Sequence, residues 1–271
     1  MFDKISTQAN NLVSLTNRIN SHSKTKVVVI TSGKGGVGKS TLTANIAYLL
    51  SQKKKKIAVL DADIGLANLQ VFFNLRPKKT YFDYLEGICG IEEILLRTNY
   101  NNITLIAGKS GYQYSKINNS MHFDRLVNDI ISLNRYDILL VDTGAGLNEQ
   151  VQEFLKMTDN ILAVTTTDPS ALTDVYALMK MISLKKNKLM LCFNFTAKYD
   201  IGALITKSLK NLALKNKLNR NFMVQYVGNI SQTNSISTTS RLRKLFTKEL
   251  SRDIASLELG IIVENLLKSL K

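Results

Sequence analysis

The chain has 271 residues, of which 45% are hydrophobic, and this suits one α/β domain with a complete core and short flanking segments. The formal net charge of +15 makes nucleotides, phospholipids or nucleic acids plausible anionic partners. Two isolated cysteines and two isolated histidines exclude a disulfide framework and a zinc cluster. Without a signal-peptide pattern or a run of about 18 apolar residues, the sequence predicts a cytosolic protein that does not span a membrane.

An amphipathic helix is predicted at the N-terminus, followed by a polar linker over residues 21–26. We therefore divide the chain into an N-terminal helix and linker (1–26), a central domain (27–256) and a C-terminal helix (257–271). The apolar residues of the first helix recur at near-helical spacing and are Ile5, Ala9, Leu12, Leu15 and Ile19.

The central domain alternates short apolar runs with segments of helical periodicity, as in residues 40–52, 122–134 and 171–184. This alternation predicts an α/β fold with a doubly wound, mostly parallel sheet of about seven or eight strands and helices on both faces. Ligands are then expected at the carboxyl ends of the strands. The apolar runs are 27–31, 57–61, 103–107, 137–142, 160–166, 188–195 and 223–228.

A P-loop pattern follows the first strand directly and opens the first helix of the central domain. Its glycines allow backbone N–H groups to surround phosphate oxygens. Lys39 can reach the β- and γ-phosphates, and the Ser40 hydroxyl can ligate Mg²⁺. The predicted nucleotide-binding residues of the loop are Gly33, Lys34, Gly35, Gly36, Val37, Gly38, Lys39, Ser40 and Thr41.

Acidic residues stand at the ends of two further strands. Asp61 and Asp63 end the second apolar run, beside the P-loop, where they are placed for Mg²⁺ and the attacking water. Asp142 ends the fourth run as a Walker B-like acid that holds Mg²⁺ through water. Asn194 ends a later strand, where asparagine is also an ordinary turn residue.

The second lysine of the loop, Lys34, makes the motif Lys-Gly-Gly-Val-Gly-Lys-Ser resemble the deviant Walker A of the MinD/ParA ATPases. The resemblance implies a slow ATPase that binds ATP or ADP with Mg²⁺ and forms a homodimer when ATP is bound. It implies that Lys34 crosses to the partner's nucleotide and that Asp63 positions the attacking water. It also gives Asp61 a place in the Mg²⁺ shell and Asn194 a contact with adenine.

Three segments are most similar to the flagellar members of that family, the FlhG group: residues 142–146, residues 165–176 and the N-terminal Gln8-Ala9. In that group the glutamine enters the active site of the GTPase FlhF and stimulates it. This chain has Thr7 and Val13 where the group has Asp and Arg. The resemblance implies a regulator of flagellar number or placement, with an FlhF-like GTPase and flagellar switch (C-ring) proteins as partners and DNA binding not expected.

The C-terminal segment 257–271 has one apolar helical stripe, which permits two interpretations. The stripe can close the core, or it can attach the ATP-bound dimer reversibly to the inner face of the cell membrane, as the MinD-like resemblance implies. Division-site placement of the MinD type and DNA partition of the ParA type remain the alternative functions. The stripe consists of Leu259, Ile262, Val263, Leu266, Leu267 and Leu270.

Overall fold

The computed structural model describes residues 25–64, 68–109, 121–197 and 200–270. The predicted N-terminal helix, with Gln8, lies outside the described residues, and so do residues 65–67. The following description concerns the described residues alone.

Eight strands form one sheet in the order β3-β4-β2-β5-β1-β6-β7-β8. Neighbouring strands are parallel except β3 and β4. Since β1 lies between β5 and β6, the loop that follows it emerges near the centre of the sheet. The strands are β1 (Lys26–Ser32), β2 (Ile57–Ala62), β3 (Leu95–Arg97), β4 (Ile103–Ile106), β5 (Ile138–Ala145), β6 (Ile161–Thr165), β7 (Lys188–Thr196) and β8 (Met223–Ser231).

Helices cover both faces of this sheet, and the buried residues form one core cluster on each face. The helices are α1 (Lys39–Gln52), α2 (Leu69–Phe72), α3 (Tyr81–Leu85), α4 (Met121–Ser132), α5 (Glu149–Lys156), α6 (Pro169–Ser183), α7 (Ile201–Lys215), α8 (Asn234–Arg241), α9 (Phe246–Glu249) and α10 (Ile254–Ser269), with a 3₁₀ turn at Ile91–Ile94.

The predicted doubly wound, mostly parallel α/β fold is confirmed, and all seven apolar runs correspond to strands. The sequence pattern did not reveal β3. This strand has only three residues, is partly exposed and pairs antiparallel with β4 at the edge of the sheet, so it lacks the buried apolar run that identifies the others.

The C-terminal stripe is part of the core. Leu259, Ile262 and Leu266 are fully buried, and α10 packs against β8 and α1. The approach is so close at Ile262 that a Cβ on Gly228 of β8 would lie 2.5 Å from its Cγ1. The helix α10 begins at Ile254, three residues before the predicted start of the C-terminal segment, and its packing supports a place in the central domain. The burial of these side chains supports the first of the two interpretations of the stripe, in which it closes the core.

Within the described ranges, the helices are all too short or too polar to cross a lipid bilayer.

Candidate nucleotide-binding site

The loop between β1 and α1 borders a cleft of about 770 Å³. Two of its glycines have left-handed backbone conformations, with φ of 79° at Gly36 and 88° at Gly38. Such conformations strain other residues, and they let the loop turn its main chain toward a bound anion. Lys39 begins α1, so the positive end of the helix dipole also faces this cleft. The arrangement fits a nucleotide phosphate chain.

Asn194, near the end of β7, holds the P-loop in place through a hydrogen bond to its main chain. Its Nδ2 donates to the carbonyl oxygen of Val37 at 2.9 Å, and its Oδ1 accepts from the backbone N–H of Phe195 at 3.0 Å. A Cβ on Gly38 would lie 2.4 Å from that same Nδ2, so glycine is needed there for space as well as for conformation. Asn194 is buried, and its predicted contact with adenine stays a prediction.

Lys39 lies inside the protein beside Asp142. Its Nζ is 2.9 Å from Asp142 Oδ1, and the exposed fractions of the two side chains are 7% and 0%. Thr43, one helical turn after Lys39, donates to the same carboxylate oxygen at 3.0 Å. A charge pair this deeply buried requires such additional hydrogen bonds to offset its desolvation. Sequence reasoning missed Thr43, although its i+4 spacing from Lys39 places both on one helix face.

Asp61 of β2 stands directly beside Asp142 of β5 in the parallel register. Burial, followed by the nearby Asp142 carboxylate, raises the pKa of Asp61 to about 8. Asp61 Oδ2 accepts from the backbone N–H of Leu69 at 2.9 Å. Asp61 Oδ1 and Asp142 Oδ2 are buried and have no hydrogen-bond partner in the described part of the chain.

These two orphaned carboxylate oxygens fit a magnesium ion. Mg²⁺ is a hard cation that binds through carboxylates, water and substrate phosphates, and its charge would relieve the repulsion between the two acids. Ser40, in the first turn of α1, also lines the cleft and can supply a hydroxyl oxygen. The predicted metal residues Ser40, Asp61 and Asp142 are thus at one end of the sheet, near the P-loop.

Asp63 lies in the same cleft, just beyond the end of β2. A Cβ on Gly144, near the end of β5, would lie 3.7 Å from Asp63 Oδ1, so Asp63 lies close to the last residues of β5. The end of β2 is also linked to α5 through Gln150, whose Nε2 donates to the carbonyl oxygen of Ala62 at 3.2 Å. Asp63 and the end of β2 are therefore in contact with both β5 and the helix that follows it.

Lys34 points away from its own P-loop cleft toward the start of α6. Its Nζ donates to Ser170 Oγ at 2.8 Å and lies 3.8 Å from Asp168 Oδ2. These side chains are largely exposed, so the contact contributes little stability and can be exchanged for another anionic partner. Sequence reasoning did not identify Ser170 as a partner, because 136 positions separate it from Lys34.

A glycine-rich loop between a buried strand and a helix N-terminus, with a buried lysine and two strand-end carboxylates beside it, defines a P-loop NTPase. The chain belongs to the ParA family of these proteins, since the family model described as "NUBPL iron-transfer P-loop NTPase" matches residues 23–265.

The chain is also similar to curated proteins with flagellar names. The flagellum site-determining protein YlxH of Helicobacter pylori is 38% identical over 89% of this chain and 83% of that protein. The antiactivator FleN of Pseudomonas aeruginosa is 34% identical over 58% of this chain. The matched region covers 56% of FleN.

Solved structures show the same fold. The cell division ATPase MinD of Pyrococcus furiosus aligns with a TM-score of 0.77 and 20% identity, covering 90% of this chain and 99% of that chain. MinD of Pyrococcus horikoshii, complexed with Mg-ADP, aligns with a TM-score of 0.75 and 19% identity, covering 90% and 97%.

Proposed function

We propose that this chain is a dimerising switch ATPase that regulates the number or placement of flagella. The observation that carries the flagellar assignment is the 38% identity with a flagellum site-determining protein over 89% of the chain. The switch assignment is supported by Lys34, which extends from the P-loop as an exchangeable cation.

In this proposal Lys39 exchanges Asp142 for the β- and γ-phosphates when ATP enters the cleft. Asp142, Asp61 and Ser40 would hold Mg²⁺, which would supply positive charge against the phosphates. Asp63 positions and polarises the attacking water. Because Asp63 lies beside the end of β5, loss of the γ-phosphate relaxes the segments that follow β2 and β5 and returns the dimer to monomers.

Replacing each of the two loop lysines is expected to impair a different property, ATP binding in one variant and dimerisation in the other. Lys39→Ala should weaken ATP binding itself, since Lys39 acts within its own loop. Lys34→Ala should retain ATP binding and lose ATP-dependent dimerisation, because its ammonium serves the partner's nucleotide. Fluorescent-nucleotide titration and light scattering after size exclusion measure the two properties, and thermal unfolding verifies that both variants fold. Equal loss of ATP affinity in both variants would refute the crossing role of Lys34.

Deletion of the gene tests the flagellar assignment directly. Electron microscopy of the deletion strain should show altered flagellar number or position, restored by the wild-type gene and not by Lys34→Ala. Minicells with normal flagella would favour division-site placement, which the relatives named MinD make the second candidate. Strong, salt-dependent DNA binding would favour partition instead.

The N-terminal segment is expected to stimulate an FlhF-like GTPase. A peptide of residues 1–22 should accelerate GTP hydrolysis by the cognate FlhF, because Gln8 can orient the attacking water. Gln8→Ala in the peptide should abolish the effect, and Gln8→Glu provides a near-isosteric control that cannot donate from an amide. Phosphate release at saturating peptide is the measurement. Equal rates with and without the wild-type peptide would exclude this partner role.

Reversible attachment of the ATP-bound dimer to the inner face of the cell membrane belongs to the same proposal. The buried stripe of α10 cannot provide it. The opposite side of α10 exposes Ile254, Leu257 and Ile261, which recur at helical spacing and supply the apolar surface that attachment requires.

Binding of C-ring proteins is proposed from the flagellar resemblance.

A further inference from the structure

A second concave site lies at the end of the sheet opposite the P-loop, between the last turns of α7 and the start of β8. It has a volume of about 560 Å³ and is lined by apolar and basic side chains. We name it the α7–β8 groove and define it by Leu214, Leu218, Phe222, Met223, Lys188 and Lys210.

The apolar part of the α7–β8 groove is strongly exposed to solvent. Leu214 and Met223 are 69% and 64% exposed, whereas the large apolar side chains of the described residues are mostly buried. Leu218 and Phe222 pack against the core and form the floor of the groove. Exposed leucine and methionine beside a concave apolar floor are typical of a surface that receives the apolar side chains of a partner.

The surroundings of the groove are basic. The chain from Ile201 to Ser231 contains Lys207, Lys210, Lys215, Lys217 and Arg220 and no acidic residue. The ion pairs of the described residues do not include these five. The ammonium of Lys188 donates to the carbonyl oxygen of Ser269 at 2.9 Å. The charge around the groove therefore favours an acidic partner.

The edge of β8 is poorly suited to pairing with an added strand. Asn265 of α10 donates to the carbonyl oxygen of Val227 at 2.9 Å, and Glu258 accepts from the backbone N–H of Ser231 at 2.7 Å. These two main-chain groups already have hydrogen-bond partners in α10, so they are not available to pair with an added β-strand. A helix that inserts side chains into the groove needs no such ladder.

We propose that the α7–β8 groove docks an acidic amphipathic helix of a partner protein. Apolar side chains on one face of the helix fill the groove, and its flanking aspartates and glutamates meet the cations around it. The chain's own N-terminal segment is basic and would be repelled by the cations around the groove. Residues 1–24 contain Lys4, Arg18 and Lys24 against a single acid, Asp3. A flat lipid surface would not reach the floor of a concave groove. The proposal is independent of the proposed function, because it uses neither the nucleotide site nor the flagellar relatives.

A designed peptide tests this surface on the full-length protein. The probe is a fluorescein-labelled helical peptide of eighteen residues, with leucine at positions i, i+3, i+4 and i+7 of each repeat and mainly glutamate elsewhere. Fluorescence anisotropy should show saturable binding that weakens with added NaCl. Leu214→Ser and Met223→Ser should each weaken binding at least about tenfold. Lys210→Glu should also weaken it, and a peptide with lysine for glutamate should not bind.

Leu204→Ser is the matched control, because Leu204 is 56% exposed on the same helix but does not line the groove. It should bind the peptide as the wild type does, and all variants should unfold at the wild-type temperature. Absence of peptide binding, or equal binding by the groove variants, overturns the proposal. It is also overturned if phosphatidylglycerol vesicles bind and the peptide does not, or if a peptide of residues 1–24 occupies the groove instead.

Discussion

Replacing Asp63 by alanine is expected to reduce ATP hydrolysis by about 10²-fold or more, the usual contribution of a group that positions or activates the reacting water. Nucleotide binding should persist, because Asp63 lies beyond β2 and not in the phosphate-binding loop. The ATP-bound dimer should therefore accumulate. Phosphate release measures turnover, and light scattering after size exclusion measures the dimer.

Asp200→Ala serves as the control for this variant. Asp200 is an exposed carboxylate at the start of α7 and does not line the nucleotide cleft. Its removal should change neither turnover nor dimerisation. Wild-type turnover in Asp63→Ala would show that the water is positioned by another group and would remove Asp63 from the catalytic site.

The second large effect is expected in the core. Ile262→Ala should lower the free energy of unfolding by about 2–5 kcal/mol, because it opens a cavity between α10 and β8. Ile262 is fully buried, and its neighbour Ile261 is 50% exposed on the same helix. Ile261→Ala should therefore change stability by only about 0.5 kcal/mol. Urea denaturation of both variants measures the difference.

Deleting residues 257–271 is the stronger version of the same test. The deletion removes most of the buried side chains of α10 and uncovers β8, so the remaining chain should fail to fold. A stable, nucleotide-binding monomer after this deletion would contradict the place of α10 in the core and would restore the segment as a detachable element.

The P-loop and the acidic residues could be predicted from the sequence because short-range patterns determine their positions. The P-loop is contiguous, so its residue types fix its geometry. Asp61 and Asp142 end apolar runs, and parallel strands end at one edge of the sheet, so the sequence placed both acids at that edge. That β2 and β5 are neighbours, which brings the two acids together, came from the structure.

The remaining features depend on tertiary contacts between distant segments, and the periodicity of the sequence carries no information about such contacts. The α10 stripe has the same spacing whether it faces a sheet or a membrane, and only tertiary packing distinguishes the two. Likewise, no local pattern joins Lys34 to Ser170, or Asn194 to Val37, since each pair is more than 100 residues apart along the chain.

The position of α1 has a consequence for synthesis of the protein. Asn45 of α1 accepts hydrogen bonds from both the backbone N–H and the hydroxyl of Thr247 at 3.0 and 2.8 Å, and α10 packs against the same helix. The nucleotide loop is translated about 200 residues before the elements that hold its helix. Long-range contacts of this kind form late. A nascent chain should therefore remain unable to capture nucleotide until α10 has emerged from the ribosome, so shorter products would not compete with the folded protein for ATP or for dimer partners.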